Sequence, residues 1–212
     1  MSKLPSFLIV DDHQVVISGI QLIFHSYQFE VEVHSCKNGD DCIEILRSRT
    51  FDLVILDVNL PDTDTFQLVG LILTMNPRQK ILIFSMSSEE MYAKHFLKLG
   101  TVGFISKQAS NDDFMRAVNT VLEGNIYLSS LMINAIAKDS FNSRKSHLFE
   151  NLSSREFEVM SYFVKGYSSK EICNMTNLHS STVGTYKYKI MDKLGVKNLI
   201  ELEELAKIHG IK

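Results

Sequence analysis

Along the first 124 residues the apolar positions follow two alternating rhythms. Short runs, FLIV (7–10), VEVHS (31–35), DLVIL (52–56), KILIF (80–84) and VGFIS (102–106), have the length and the branched residues of buried strands. Between them apolar residues recur at helical spacing. Val16, Ile20, Ile23 and Phe24 do so within 13–27, Cys42, Ile45 and Leu46 within 37–49, and Phe114, Val118, Val121 and Leu122 within 110–123. Strand and helix repeated in this way predict an α/β fold: a five-stranded parallel, doubly wound sheet covered by helices on both faces. Crossovers in such sheets are right-handed, and reactive loops gather beyond the carboxyl ends of the strands.

From about residue 150 the pattern changes. LSSREFEVMSYFVKG (152–166), SSKEICNMTN (168–177), SSTVGTYKYKIMDKLG (180–195) and LIELEELAKIHG (199–210) read as four short helices, a small all-α domain. Ser153 and Glu156 have capping-box spacing, and Gly166 and Gly195 sit where helices end. The second and third helices have helix-turn-helix spacing. The stretch between the halves starts helical and turns polar around SFNSRKS. The expected division is a first domain over 1–127, a linker over 128–149 and a second domain over 150–212.

Composition narrows the class. Apolar residues at 45% suffice for a core, and no apolar run of membrane-spanning length occurs. The start, MSKLPSFLIVDD, meets acids too soon for a secretory leader. Cys36, Cys42 and Cys173 form no CxxC pair and no His/Cys cluster, which suits a reducing, cytoplasmic setting and disfavours a disulfide scaffold or structural zinc. The net charge of −3 hides an asymmetry: residues 1–130 carry ten basic and sixteen acidic side chains, residues 150–212 nine and eight. Bulk charge alone therefore does not point to nucleic acid.

The candidate chemistry lies at one end of the predicted sheet. Asp11 and Asp12 follow the first strand, Asp57 the third, Ser85 ends the fourth and Lys107 closes the fifth. Three converging carboxylates repel unless a divalent cation neutralises them, and hard oxygen ligands suit Mg²⁺. A neighbouring ammonium and hydroxyl can hold the oxygens of a phosphoryl group. Singly, each has a plainer reading: a helix cap, a loop acid, a strand-end hydroxyl, a solvated lysine. Joint placement at four strand ends is what singles them out.

IVDDH (9–13), LVILDVNLP (53–61), FSMS (84–87) and GFISK (103–107) resemble the receiver domain of two-component response regulators, in the NarL/FixJ branch. Leu152, Arg155, Glu156, Lys170, Thr182 and Val183, among others, fit the LuxR-type DNA-binding signature of that branch. The resemblance implies a phosphorylation-controlled, DNA-binding transcriptional regulator, not a turnover enzyme. Asp57 would accept a phosphoryl group from a sensor histidine kinase or phosphorelay protein. Mg²⁺ would be held by Asp11, Asp12, Asp57 and the backbone carbonyl of Asn59, mainly through Asp12 and Asp57. Ser85 and Lys107 would contact the phosphoryl oxygens, and Phe104 would be the switch aromatic that turns inward as Ser85 moves. Two positions depart from the family. Thr65 stands where glycine is frequent, removing a possible positive-φ position, and Gln108 stands where proline usually follows the lysine.

In the second domain the third helix is expected to expose Thr185, Tyr186, Lys187, Tyr188 and Lys189 between inward-looking Val183 and Ile190. The lysines suit phosphates or guanine edges, and the tyrosines suit sugars or phosphates. Ser180, Ser181 and Thr182 lie at the helix start, where backbone N–H groups receive a phosphate. Partial core packing is the plainer reading of the tyrosines, and solvated charge that of the lysines. Gly184 costs the helix up to about 1 kcal/mol relative to alanine, and it either permits close approach to DNA or weakens the helix. Modest affinity per monomer is expected, made up by a homodimer on double-stranded DNA with paired half-sites. The last helix is expected to supply a dimer contact, with burial in the monomer as the alternative. Two other functions compete. Intact Asp57 and Lys107 count against a regulator that works without phosphorylation, through oligomeric state or partners. The lack of a cap domain or a second acid near Asp57 counts against a small-molecule phosphatase.

Overall fold

In the computed structural model, residues 4–87, 89–133, 149, 151–176, 178–208 and 211 are described. The chain falls into two compact units, Met1–Met132 and Ile133–Lys212. Most of the expected linker, residues 134–148, lies outside the described residues.

The first unit runs β1 (Ser6–Val10), α1 (Gln14–Ser26), β2 (Glu32–Cys36), α2 (Gly39–Ser48), β3 (Leu53–Leu56), α3 (Thr65–Met75), β4 (Ile81–Ser85), α4 (Glu89–Leu99), β5 (Gly103–Ser106) and α5 (Asn111–Leu122). All strand pairs are parallel, in the order β2-β1-β3-β4-β5. Every residue of β1 and β3 is buried, which is why those strands are apolar without alternation. On one face Phe7, Ile9, Leu53 and Ile55 pack against Ile17, Ile20 and Phe24 of α1 and Phe114 and Val118 of α5. Phe24 touches three rings there, with Phe7 and Phe29 at 5.5 Å and Phe114 at 5.9 Å between centroids. Elsewhere in the unit Phe66 of α3 stacks on Phe96 of α4 at 4.3 Å.

Local chemistry fixes the helix ends. Asn38, Asp64 and Ser110 accept backbone N–H bonds at the starts of α2, α3 and α5. Lys80 Nζ donates to the Leu122 carbonyl at 2.8 Å, satisfying an orphan group at the end of α5. Beyond α5 the chain returns to the sheet. Tyr127 bridges Gly103 in parallel and donates its N–H to the Val102 carbonyl at 2.9 Å. Gly103 has no room for a side chain, since a Cβ there would lie 2.9 Å from Leu82 Cδ1 and 3.1 Å from Tyr127 Cβ.

Cys36, Cys42 and Cys173 are free thiols. A hydrogen bond with Cys36 and then burial push the Cys42 thiol up, which keeps it protonated and unreactive.

The second unit holds α6 (Ser154–Val164), α7 (Ser169–Thr176), α8 (Ser180–Leu194) and α9 (Leu199–Ile208). The capping box forms: Ser153 Oγ accepts from Glu156 N at 3.2 Å, and Glu156 Oε2 accepts from Ser153 N at 2.7 Å. Phe157, Met160, Ile172, Val183, Ile190 and Leu202 supply its core. Arg155 pairs with Glu158 and donates to the Thr176 carbonyl at 3.0 Å, tying α6 to the end of α7. Gly195 ends α8 in the left-handed region at φ 68°, where a side chain would be strained. In α9, Leu202 and Ala206 are buried within the unit while Ile200 remains 70% exposed. Among the described residues no helix is long and apolar enough to cross a membrane.

Candidate functional site

Parallel strands deliver three side chains to one rim of the first unit. Asp11 leaves β1 with its N–H on the Cys36 carbonyl at 3.1 Å, and its Oδ1 accepts from His13 N at 2.9 Å. Asp57 leaves β3 with its N–H on the Val10 carbonyl at 2.9 Å. Lys107 leaves β5 with its N–H on the Ser85 carbonyl, also at 2.9 Å. The Lys107 ammonium then lies 2.6 Å from Asp11 Oδ2 and 2.7 Å from Asp57 Oδ2. All three are shielded, with side chains 9%, 2% and 3% exposed. Burial alone would push the Lys107 ammonium down, but hydrogen bonds to Asp11 and Asp57 outweigh it and hold its pKa above the ordinary lysine value.

One cation does not neutralise this pocket. Asp11, Asp12, His13 and Asp57 place ligand atoms within 4.8 Å of one another. Asp57 Oδ1 is buried with no hydrogen-bond partner, a costly state for a carboxylate oxygen. Asp12, 32% exposed, opens the cluster to solvent, and its Oδ1 lies 2.8 Å from His13 Nδ1. A hard divalent ion fits such a donor set: several carboxylate oxygens, an orphaned oxygen and access for water. His13 was not among the expected residues, and adjacency to the aspartate pair was its only signal.

Ser85 is fully buried, and its Oγ accepts from Ser87 N at 3.2 Å. Asn59 is exposed in the loop after β3, and its side-chain amide donates to Ser87 Oγ at 3.3 Å. Phe104 is 1% exposed in β5, its ring 6.3 Å from that of Phe96.

In the second unit α8 packs Val183, Ile190 and Leu194 inward. Ser180, Ser181, Thr185, Tyr188 and Lys189 are exposed, whereas Thr182, Tyr186 and Lys187 are half-buried. The Lys187 ammonium stands 5.7 Å from the centre of the Phe163 ring on α6, a cation–π contact invisible in the sequence.

Two family models match in succession. Residues 7–119 match the response regulator receiver domain, and residues 150–206 match the bacterial regulatory proteins of the luxR family. The chain belongs to the response regulators. Over 209 residues this response regulator is 33% identical to the Fimbriae Z protein of Salmonella typhimurium, covering 99% of both chains. It is 28% identical to the response regulator UvrY of Escherichia coli, covering 96% of this chain and 94% of that one. Its fold is similar to that of RcsB from Salmonella enterica serovar Typhimurium bound to promoter P1flhDC. The TM-score is 0.66 at 24% identity, covering 96% of this chain and 98% of that chain.

The two departures from the family acquire physical content. Thr65 opens α3 as a helical residue, and the positive φ of its loop falls on Asp62 at 52°. The Thr65 hydroxyl donates to the Val58 carbonyl at 2.6 Å, so threonine contributes a buried bond where a loss of backbone freedom was expected. Gln108 supplies an N–H that proline lacks, and donates it to Ser106 Oγ at 3.1 Å.

Proposed function

We propose that this response regulator is a cytoplasmic transcription factor whose first domain is phosphorylated on Asp57 by a sensor histidine kinase or phosphorelay protein. Its output is the binding of double-stranded DNA through α8, as a homodimer on paired half-sites. Residues 1–127 form the receiver, 128–149 the linker and 150–212 the DNA-binding domain. The observation that carries the proposal is the Lys107 ammonium shared by Asp11 and Asp57 beside an Asp57 oxygen that lacks a partner.

Asp57 attacks phosphorus in line as the donor's own bond to phosphorus breaks, and the product is an acyl phosphate. Lys107 turns from the carboxylates to a phosphoryl oxygen, and the Ser85 hydroxyl donates to another. Phe104 occupies the space that Ser85 vacates, which carries the change toward the linker. Asp11, Asp12, Asp57 and the Asn59 carbonyl would hold Mg²⁺. When bound, the ion supplies positive charge for the phosphoryl oxygens. The chemistry is a switch on the protein itself, without turnover of a metabolite.

DNA contact is assigned to Ser180, Ser181, Thr182, Thr185, Tyr186, Lys187, Tyr188 and Lys189. That RcsB, similar in fold, is bound to a promoter supports DNA binding as the output, and the choice of residues rests on their place on α8. The test is incubation of the full chain with a small acyl phosphate and Mg²⁺, followed by intact-mass measurement and selection from random DNA duplexes. One added phosphoryl group, lost in Asp57→Asn, together with stronger enrichment of two-half sites, is the expected result. Enrichment that ignores the donor would favour a regulator controlled through partners instead.

A further inference from the structure

Helix α8 presents Ser181, Gly184, Thr185, Tyr188 and Asp192 on one face, at positions i, i+3, i+4, i+7 and i+11, and all five are exposed. The middle of this face carries no cation. Lys187 and Lys189 flank Tyr188 in sequence, about 100° around the helix on either side; Lys187 lies off the face, and Lys189, four positions after Thr185, stands at its edge. Lys187 is further held back over Phe163. Tyr188 is 72% exposed. The Thr185 hydroxyl donates to the Ser181 carbonyl at 2.9 Å, so its donor is already satisfied within the helix.

Gly184 lies in the middle of this face. A Cβ built there meets nothing within 4 Å, and its φ is not in the left-handed region. Neither packing nor backbone geometry requires glycine, yet glycine costs a helix about 1 kcal/mol relative to alanine. Close approach by something outside the domain accounts for it.

On the reading of α8 as the DNA-facing helix, we infer that its sequence-reading surface is uncharged and recognises thymine methyl groups in the major groove. Guanine edges are read mainly by Arg or Lys forks and adenine edges by Asn or Gln amides, and the middle of the face has neither. Threonine methyl and aromatic carbon are suited to the thymine C5-methyl. Gly184 sets the depth of insertion, and Thr185 and Tyr188 make the apolar contacts. Asp192 lies in the last turn, away from the N-terminal part of a recognition helix that meets base edges. Lys187 and Lys189 serve phosphates on the two sides of the groove, independently of sequence.

The experiment uses the full-length protein and a site selected from random duplexes, resynthesised with deoxyuridine for thymidine one position at a time. Uracil keeps the base pair and removes only the methyl group. Binding is expected to weaken about fourfold at one or two positions per half-site, the factor for one buried methyl-sized group. The loss should vanish in Tyr188→Ala or Thr185→Ser. Gly184→Ala should raise the melting temperature while weakening the selected site severalfold, opposite movements that a merely structural glycine would not give. A selected site discriminated through guanines, with uracil tolerated throughout, overturns the thymine reading and leaves DNA binding intact. Unchanged or tighter binding by Gly184→Ala overturns the depth role. No enriched sequence at all overturns the assignment of α8 to DNA, and this inference with it.

Discussion

Lys193, near the end of α8, donates to Glu156 Oε2 in the first turn of α6 at 2.6 Å, across 37 positions of sequence. The same oxygen accepts from Ser153 N at 2.7 Å, so one carboxylate joins the cap of α6 to α8. Burial pushes the Glu156 carboxyl up, but the bonds from Lys193 and Ser153 outweigh it and hold it below its ordinary value of 4.5. A depressed folded-state pKa gives stability that is complete above the ordinary value and is lost as pH falls through the folded one. The second unit is therefore expected to weaken on the acid side of the carboxylate range. Thermal unfolding followed from neutral pH downward should show a flatter acid limb for Glu156→Gln than for wild type. Parallel limbs would mean that another group controls acid unfolding.

Removal of Lys107 should be expensive. Lys107→Ala leaves Asp11 and Asp57, 2% and 3% exposed, facing each other without a cation. A loss of about 3 kcal/mol is expected in urea titrations with chelator present. Mg²⁺ should restore part of it if the pocket takes the ion.

Metal affinity has its own readout. At roughly ten times its dissociation constant, Mg²⁺ should stabilise the wild-type receiver by about 1.4 kcal/mol. Asp57→Asn should shrink that gain, as read from melting temperature against Mg²⁺ concentration. An equal gain in the variant would take Asp57 out of the ligand set.

Thr65→Val removes the buried donor to the Val58 carbonyl while keeping the side-chain shape. The carbonyl is left without that partner, and urea denaturation should register a loss of about 1–2 kcal/mol.

Gly103→Ala forces a Cβ to within 2.9 Å of Leu82 Cδ1 and 3.3 Å of the Tyr127 carbonyl oxygen. The expected cost is about 1–3 kcal/mol. Hydrogen exchange of the Tyr127 amide, which bonds to the Val102 carbonyl, should accelerate more than that of amides inside β1.

The strands were legible because the buried centre of a parallel sheet needs apolar residues on both faces. FLIV, DLVIL and VGFIS lie within one residue of β1, β3 and β5. Helix α3 was less legible: it is apolar nearly all round, with Leu71 46% and Met75 39% exposed, so its periodicity is blurred. The site's location followed from strand ends, but its pairing did not. Sequence placed Lys107 beside the phosphoryl position without showing that one ammonium bridges Asp11 and Asp57. The direction of Lys187 was hidden for a similar reason, since its partner Phe163 lies on another helix. Long side chains choose partners through tertiary geometry, which local spacing does not encode.

Tyr127 fastens the outgoing chain to β5, the strand that contains Phe104 and leads into Lys107. A shift of that strand is therefore not absorbed as slack between residues 122 and 127. It resets the point from which the following polypeptide sets out. The outlet of the first unit is therefore set at Tyr127, several residues beyond the end of α5. That point moves with the strand that leads into Lys107, so the anchor of the outgoing chain and the Lys107 ammonium share one mechanical support.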